Sequence, residues 1–133
     1  MTDEQALRVP DYLSHIIDAA QRIAIYTAGM AREQFLASSL VQDAVIRNLE
    51  VIGEAARKIE LADPGFPTQH PELAWSSMQG MRHRLAHGYY RVNLDIVWVT
   101  VERDVPQLLA QAKAVLTAGA HQPPFESGPP DEQ

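Results

Sequence analysis

Apolar residues recur every three or four positions over most of this chain, which is the spacing of one buried face of an α-helix. The first such segment runs from Asp11 to about Met30, follows Pro10, which suits a first helical turn, and weakens at the polar Thr27. The second runs from about Ser39 to Leu61. The pattern therefore predicts two long amphipathic helices in the first half of the chain.

A Pro- and Gly-rich stretch, ADPGFPTQHPE, separates these helices from the second half and predicts a loop. A shorter helix follows it, with apolar positions at Trp75, Met78, Leu85 and Ala86. Gly88 lies just past the last of these positions, where a glycine commonly ends a helix. We therefore predict a third helix that stops at this glycine.

The last helical pattern runs from about Leu94 to Ala118, and Pro106 inside it should bend the helix. The final residues, HQPPFESGPPDEQ, are Pro-rich and acidic, which predicts disorder. No segment alternates polar and apolar residues over a useful length. We therefore predict one all-α domain over residues 1–118, an antiparallel four-helix bundle, with a disordered tail over residues 119–133.

The chain is acidic, but its charge is unevenly placed. It carries 11 Lys and Arg against 17 Asp and Glu, a net charge of −6, which argues against a general nucleic-acid coat. Phosphate affinity nevertheless follows the local patch, so a basic site remains open, as does the simpler alternative of one basic helix face. The interval between Glu72 and Asp95 contains no acidic residue and carries Arg82, His83, Arg84, His87 and Arg91.

Composition also limits the chemistry and the compartment. The chain has no Cys, which excludes disulfide and thiol chemistry and is compatible with a cytoplasmic location. Its first residues, MTDEQALRVP, lack a basic region followed by an apolar one, so they predict no secretory signal. No apolar run approaches the roughly 18 residues of a membrane span, so we expect no membrane association.

The segment MRHRLAHGYY, residues 81–90, concentrates Arg, His and Tyr in the predicted third helix. At about 100° per residue, Arg82 and Tyr89 fall on the apolar face, while His83 and His87 form an i, i+4 pair to one side. An unpaired Arg on an apolar face is costly. Either that face is incompletely covered within one chain, which points to a protein partner or a ligand cleft, or Arg82 has a specific acidic partner.

Two non-catalytic interpretations of this segment are available. His83 and His87 have a spacing that suits a metal, but the segment lacks the Glu of H-E-x-x-H and has no obvious third ligand, so we expect no metal and no cofactor. A purely structural role would make His87 and Tyr89 satisfied polar groups at a helix end, with Arg82 paired to Glu54 of IGEAA. Composition and spacing alone favour this structural role.

Catalysis of RNA cleavage is the third interpretation. A His titrates near neutrality and moves protons, and the Arg fork binds phosphate oxygens. RNA carries its own nucleophile, the 2′-hydroxyl. Arg82 and His87 would therefore suffice for cleavage without a metal, and a two-fold dimer would supply a second His as general acid.

The same residues carry a resemblance to a known family. The sequence matches the R-x4-6-H-x-Y motif of HEPN-domain proteins at Arg82, His87 and Tyr89, with four residues between the Arg and the His and one between the His and the Tyr. The chain resembles the HepT-like branch of these proteins over about residues 11–112. The resemblance is carried by the segment IRNLEVIGEAARKI and, after it, by HPELAWSSMQGMRHRLAHGYYRVNLDIVWVTVERDVPQLL. The motif occurs here together with IGEAA, the Trp75 segment and DIVW in the same order, which makes the resemblance specific.

This resemblance implies a four- or five-helix HEPN bundle that forms a homodimer with its motif helices facing each other. It implies a metal-independent ribonuclease that cleaves tRNA or mRNA as the toxin of a type VII toxin–antitoxin pair. The family's catalytic Arg and His fall on Arg82 and His87. The antitoxin is a minimal nucleotidyltransferase of the MntA type, which can silence the toxin by transferring AMP to Tyr89, with Tyr90 as the alternative by register.

Three neighbouring positions complete the expected site. The residue after the motif Arg is often Asn in the family and is His83 here, so its role stays open between phosphate binding, an interface contact and proton transfer. We expect His83 and Arg84 to bind the substrate and Glu54 to support the site. The alternative function is a non-catalytic HEPN dimer that binds nucleotide or RNA or docks a nucleotidyltransferase, which the overall acidity favours somewhat.

Overall fold

A computed structural model of the chain describes residues 8–87 and 92–120, and the side chains of residues 8–81 and 92–119 within them. Every regular element in these ranges is helical, so the predicted all-α fold class is confirmed for the described part of the chain. The elements are α1 (Val9–Tyr26), α2 (Arg32–Leu36), α3 (Ser39–Ala62), α4 (Phe66–Gln69), α5 (Trp75–His87), α6 (Leu94–Val99), a π-helical turn (Thr100–Asp104) and α7 (Val105–Ala120).

One hydrophobic core lies among the long helices. Helix α1 packs against α3 and α7, and α3 also packs against α5. The apolar periodicity of the sequence marks this core well, although Ala24, which shares the spacing on α1, is exposed. Burial of each such aliphatic side chain contributes about 1.5–3 kcal/mol. The largest fully buried side chains are Phe35, Ile16, Ile23, Ile59, Leu73, Val45 and Val97.

Helix α1 ends at Tyr26, earlier than the predicted end near Met30. Thr27 follows it, and its buried hydroxyl donates to the carbonyl of Ile23 at 2.8 Å. Gly29 then adopts a φ of 74°, a left-handed conformation that costs other residues about 1–2 kcal/mol. The weakening of the apolar pattern at Thr27 thus marks the true end of the helix.

The short helix α2 was missed by the sequence prediction, because five residues are too few to establish a period. Its Phe35 is fully buried, with its ring centroid 5.3 Å from that of Trp98 on α6. Gln42 of α3 donates from Nε2 to the carbonyls of Phe35 and Leu36, both at 3.0 Å, which satisfies acceptors at the end of α2. Helix α2 therefore packs against both α3 and α6.

The bounds of α3 agree with the prediction to within one residue at its end. Ser38 caps its start, since its hydroxyl accepts from the backbone N–H of Val41 at 3.2 Å. Asn48 is a buried polar residue in the middle of the helix, and its Nδ2 donates to the carbonyl of Ala44 at 2.8 Å. This bond satisfies a polar group that would otherwise be costly to bury.

The predicted loop over residues 62–72 contains the one-turn helix α4. Asp63 shapes its start, because its Oδ1 accepts from the backbone N–H of Gly65 at 3.2 Å. The Phe66 ring lies 4.3 Å from that of His70 and meets Trp75 edge-on at 5.9 Å. The loop therefore has an ordered aromatic cluster at the start of α5.

The predicted interruption of the last helix takes the form of the π-helical turn between α6 and α7. Pro106 has no N–H to donate, and its ring would meet the carbonyl four residues earlier in a regular α-helix. Just before it, the backbone N–H of Val105 donates to the carbonyl of Thr100, five residues back. Thr100 in turn donates its hydroxyl to the carbonyl of Ile96 at 2.9 Å.

The predicted disordered tail began at residue 119, but Gly119 and Ala120 belong to α7. The rest of that tail, and the helix stop predicted at Gly88, lie outside the described residues. Within the described ranges, none of the helices combines the length and the apolar character needed to cross a membrane.

Candidate active site

Helix α5 carries most of the motif found in the sequence. It spans Trp75–His87, so the backbone positions of Arg82, His83, Arg84 and His87 all belong to one continuous helix. Their side chains, and the whole of Tyr89, lie outside the described residues. The helical spacing assumed for Arg82 and His87 thus agrees with the backbone, while the contacts expected of all five side chains stay predictions.

The start of α5 is held firmly against the core. Leu73 and Trp75 are buried, and Met78 on the next turn is 7% exposed. The Trp75 indole Nε1 donates to the backbone carbonyl of His70 at 2.9 Å, which satisfies the polar atom of this buried ring. These contacts fix the start of α5 at Trp75, which lies about two helical turns before Arg82, the first residue of the motif.

Helices α5 and α3 run past each other, with a direct contact near the end of α3. Gln79 donates from Nε2 to Oε1 of Glu60 at 2.8 Å. Further along α5, Met81 borders a groove between α5 and α6 that is also lined by Ile52 and Leu49, which lie earlier in α3. The order of these contacts makes the two helices antiparallel, so the motif portion of α5 passes the middle of α3.

Glu54 occupies that middle part of α3. Its Oε2 lies 3.9 Å from Nζ of Lys58, one turn away, and both side chains are about half exposed. Its Oε1 is screened from solvent. The carboxylate therefore has one oxygen facing the surface and one facing the protein, on the helix that packs against α5.

After the motif, the next described helix is α6. Asn93 caps this helix, since its Oδ1 accepts from the backbone N–H groups of Asp95 at 3.0 Å and Ile96 at 3.2 Å. Asp95 also forms an ion pair with Arg32 of α2. The described residues on either side of the motif are thus fixed by contacts of Trp75 with the loop carbonyl of His70 and of Asp95 with Arg32.

The sequence prediction missed both the Asn93 cap and the ion pair at the start of α6. Asn93 is a helix-capping residue directly before an apolar run, which is a recognisable start signal. The pairing of Arg32 with Asp95 joins residues 63 positions apart, and no sequence signal indicated it.

The described side chains include no cluster of three His, Asp or Glu residues arranged to hold a metal ion. The candidate pair His83 and His87 falls outside the side chains that the structure describes.

A comparison with protein families decides the classification. The model described as Ribonuclease HepT-like matches residues 16–115, which include α5, the motif and most of the core. This chain belongs to the HepT-like ribonuclease family. The matched range covers about the same part of the chain as the resemblance found in the sequence.

Individual relatives agree with the HepT-like assignment. The chain is 41% identical over 98 residues to a protein of Thermococcus cleftensis named probable ribonuclease HepT, covering 74% of this chain and 86% of the relative. It is 32% identical over 105 residues to a protein of Caldanaerobacter subterraneus subsp. tengcongensis named as a candidate RNase, covering 79% and 91%. No solved structure matches the chain at a significant level.

Proposed function

We propose that this HepT-like protein is a metal-independent endoribonuclease that acts on tRNA or mRNA as the toxin of a type VII toxin–antitoxin pair. The observation that carries the proposal is the family match over residues 16–115, within which Arg82 and His87 occupy one helix at the spacing of the HEPN motif. The names of the relatives, which specify ribonucleases, support the same reaction class.

In the proposed reaction, His87 removes the proton from an RNA 2′-hydroxyl, and the 2′-oxygen attacks the adjacent phosphorus. The bond from phosphorus to the 5′-oxygen breaks, leaving a 2′,3′-cyclic phosphate and a 5′-hydroxyl that takes up a proton. Arg82 binds the crowded phosphate and offsets its developing charge. His83 and Arg84 bind neighbouring phosphates.

A second His is needed as general acid for the leaving 5′-oxygen, and a two-fold homodimer would supply it. We therefore propose that two HEPN bundles associate with their motif helices facing each other, so that one cleft contains both copies of His87. The acid-free interval between Glu72 and Asp95 supports this location, since each chain brings its basic segment to a phosphate-binding cleft.

Glu54 is proposed as the supporting acidic partner of Arg82. It lies on α3, the helix against which α5 packs, and its screened oxygen faces the protein. A carboxylate in this place would hold the guanidinium in one orientation without contacting the RNA.

Tyr89 is the proposed site of silencing. A nucleotidyltransferase of the MntA type would transfer AMP from ATP to the Tyr89 hydroxyl and release pyrophosphate. The product carries a negative phosphate and a bulky nucleoside close to Arg82 and His87 in the sequence. RNA phosphate would then meet like charge and a filled cleft.

The test compares wild type with His87→Ala on tRNA and mRNA in EDTA, after expression without the partner. We expect cleavage by the wild type alone, with a 2′-deoxy substitution at the cleaved position blocking it and 2′,3′-cyclic phosphate at the new ends. Equal cleavage by both proteins, or loss of wild-type cleavage in EDTA, would contradict the mechanism.

The alternative function, a non-catalytic HEPN dimer, makes a different prediction in the same experiment. Protein free of its partner, with an intact mass that shows unmodified Tyr89, would then bind RNA or nucleotidyltransferase without cutting RNA. The overall acidity of the chain is the observation that favours it.

A further inference from the structure

A groove of about 580 Å³ lies between α5 and the segment formed by α6, the π-helical turn and the start of α7. Its apolar surface comes from α3, α5 and α6 and includes Leu49, Ile52, Met78, Met81, Ile96 and Val99. Ile96 is 54% exposed and Val99 is 43% exposed, so part of this apolar wall is open to the solvent. A concave and largely apolar site of this volume is large enough for a small molecule or for one group of a larger ligand.

The groove side of α5 continues into the motif. Arg82 lies four positions after Met78 of the groove wall, which at about 100° per residue places the two backbone positions about 40° apart around the helix. Arg84 lies seven positions after Ser77, also of the groove wall, and about 20° from it. His87 follows about 60° from Arg84. Both Arg positions are therefore on the groove side of α5, and that of Arg84 lies between the groove and the candidate general base.

Three carboxylates border the groove, and they differ in whether a cation lies beside them. Asp95 pairs with Arg32, and Oε2 of Glu72 lies 3.5 Å from Nδ1 of His70. None of the ion pairs among the described side chains involves Asp104, which is exposed at the end of the π-helical turn. Asp104 therefore offers the groove a carboxylate that can accept hydrogen bonds from a ligand.

An apolar groove with one acceptor, next to an Arg, suits a nucleobase whose phosphate stays outside. The Asp104 carboxylate repels phosphate, so an RNA backbone would remain on the motif side, where Arg84 would bind it. The faces of a base are flat and apolar and can lie against a thioether such as that of Met78. A carboxylate accepts from the exocyclic amino group of a base, as from N4 of cytosine, whereas uracil presents the acceptor O4 at that position. The groove should therefore discriminate between these two bases.

We propose that this groove is a base-recognition site for the RNA substrate. It holds the base of a nucleotide next to the cleaved bond and selects a base with an exocyclic amino group over uracil. The base lies between α5 and α6 and donates to Asp104, while its phosphate lies at Arg84. The phosphate contact positions the strand, and the contact with the base edge gives the specificity. The inference rests on the proposed ribonuclease function for the identity of the strand and deepens it by naming a determinant of where the strand is cut.

The first test measures binding without cleavage, by fluorescence anisotropy with the full-length protein. The probes are labelled strands of 2′-deoxycytidine and of 2′-deoxyuridine, which have equal length and charge and lack the 2′-hydroxyl. We expect the deoxycytidine strand to bind about tenfold more tightly, because its amino groups can donate to Asp104. This ratio does not depend on whether the protein cleaves RNA.

Matched variants locate the base preference, first in binding and then in cleavage. Asp104→Asn should reduce the ratio to about twofold or less, since an amide both donates and accepts. Glu102→Gln removes the same charge from the same π-helical turn outside the groove lining, and should keep the ratio. Both side chains are exposed, so both variants should keep the wild-type Tm. In RNA of randomised sequence cleaved in EDTA, sequencing of the new ends should show uracil depleted about tenfold at one position beside the cut for wild type and Glu102→Gln, and not for Asp104→Asn.

Several results would overturn the proposal. Equal binding of the two strands by the wild type, or equal effects of Asp104→Asn and Glu102→Gln, would show that the groove does not select a base. Cleavage with no base preference beside the cut would do the same. Dissociation of a dimer by Val99→Ser, measured by sedimentation, would assign the groove wall to a second copy of the chain. Absence of RNA cleavage together with a retained preference for deoxycytidine would instead refute the ribonuclease function and support base recognition by the groove.

Discussion

Trp75 donates its indole N–H to the backbone carbonyl of His70 across the turn that precedes the motif helix. The same ring is 9% exposed and meets Phe66 edge-on. One side chain thus satisfies a loop carbonyl, packs on α4 and anchors the first residue of α5. The position of the candidate active site depends on this anchor, because the motif follows it within the same helix.

Replacing Trp75 separates its packing from its hydrogen bond. Trp75→Phe should keep much of the packing and lower the free energy of unfolding by about 1–3 kcal/mol, since the His70 carbonyl loses its donor. Trp75→Ala should cost about 3–5 kcal/mol. Urea denaturation with an unchanged m value measures both. Equal losses in the two variants would show that the packing of the ring contributes nothing beyond the hydrogen bond, whereas a Phe variant as stable as the wild type would show that the hydrogen bond contributes nothing of its own.

The buried pair Phe35 and Trp98 makes α2 a stabilising element. Phe35→Ala should lower the free energy of unfolding by about 3–5 kcal/mol, because it removes a fully buried ring 5.3 Å from Trp98. Leu40→Ala, nearby in the sequence but 80% exposed, should change it by less than about 0.5 kcal/mol. Chemical denaturation of both variants tests this, and similar small effects would mean that α2 is dispensable.

Asn93 is the cap that starts α6 directly after the motif segment. Asn93→Ala should cost about 1 kcal/mol, since the backbone N–H groups of Asp95 and Ile96 lose their acceptor. Asn93→Asp offers the same acceptor and should retain most of the stability. The comparison uses thermal and urea unfolding, and an equal loss in both variants would contradict the capping role.

Gly29 holds a left-handed backbone conformation at the end of α1. Gly29→Ala should lower the free energy of unfolding by about 1–2 kcal/mol, although an added Cβ would meet no atom within 4 Å. The cost is therefore conformational. Gly29→Asn should cost less, because Asn tolerates this conformation better. An Ala variant as stable as the wild type would contradict the φ of 74°.

Tyr89→Phe separates silencing from catalysis under the proposed function. The variant should cleave RNA at a rate within about twofold of the wild type, since the phenol takes no part in the proton transfers proposed for His87. Coexpression with the nucleotidyltransferase should leave its intact mass unmodified and its ribonuclease activity intact. Tyr90→Phe is the matched control and should still be modified and silenced. The opposite result would move the modified residue to Tyr90.

The apolar periodicity of the sequence predicted the all-α fold class and the bounds of α3, because that helix is long and buries one face. Pro106 predicted the interruption of the last helix, since a residue without an N–H cannot continue the ladder of α-helical hydrogen bonds. The apolar periodicity failed to predict α2 and α4, which are too short to show a period.

The motif residues and their helical spacing were evident from the sequence alone, because Arg82 and His87 are local to one helix and belong to a recognisable family pattern. Tertiary packing alone decided what lies around them: the Trp75 anchor on His70, the ion pair of Arg32 with Asp95, and the groove between α5 and α6. The physical reason is distance along the chain. Helix formation and capping depend on neighbours within a few positions, whereas ion pairs and grooves depend on how separate helices come together.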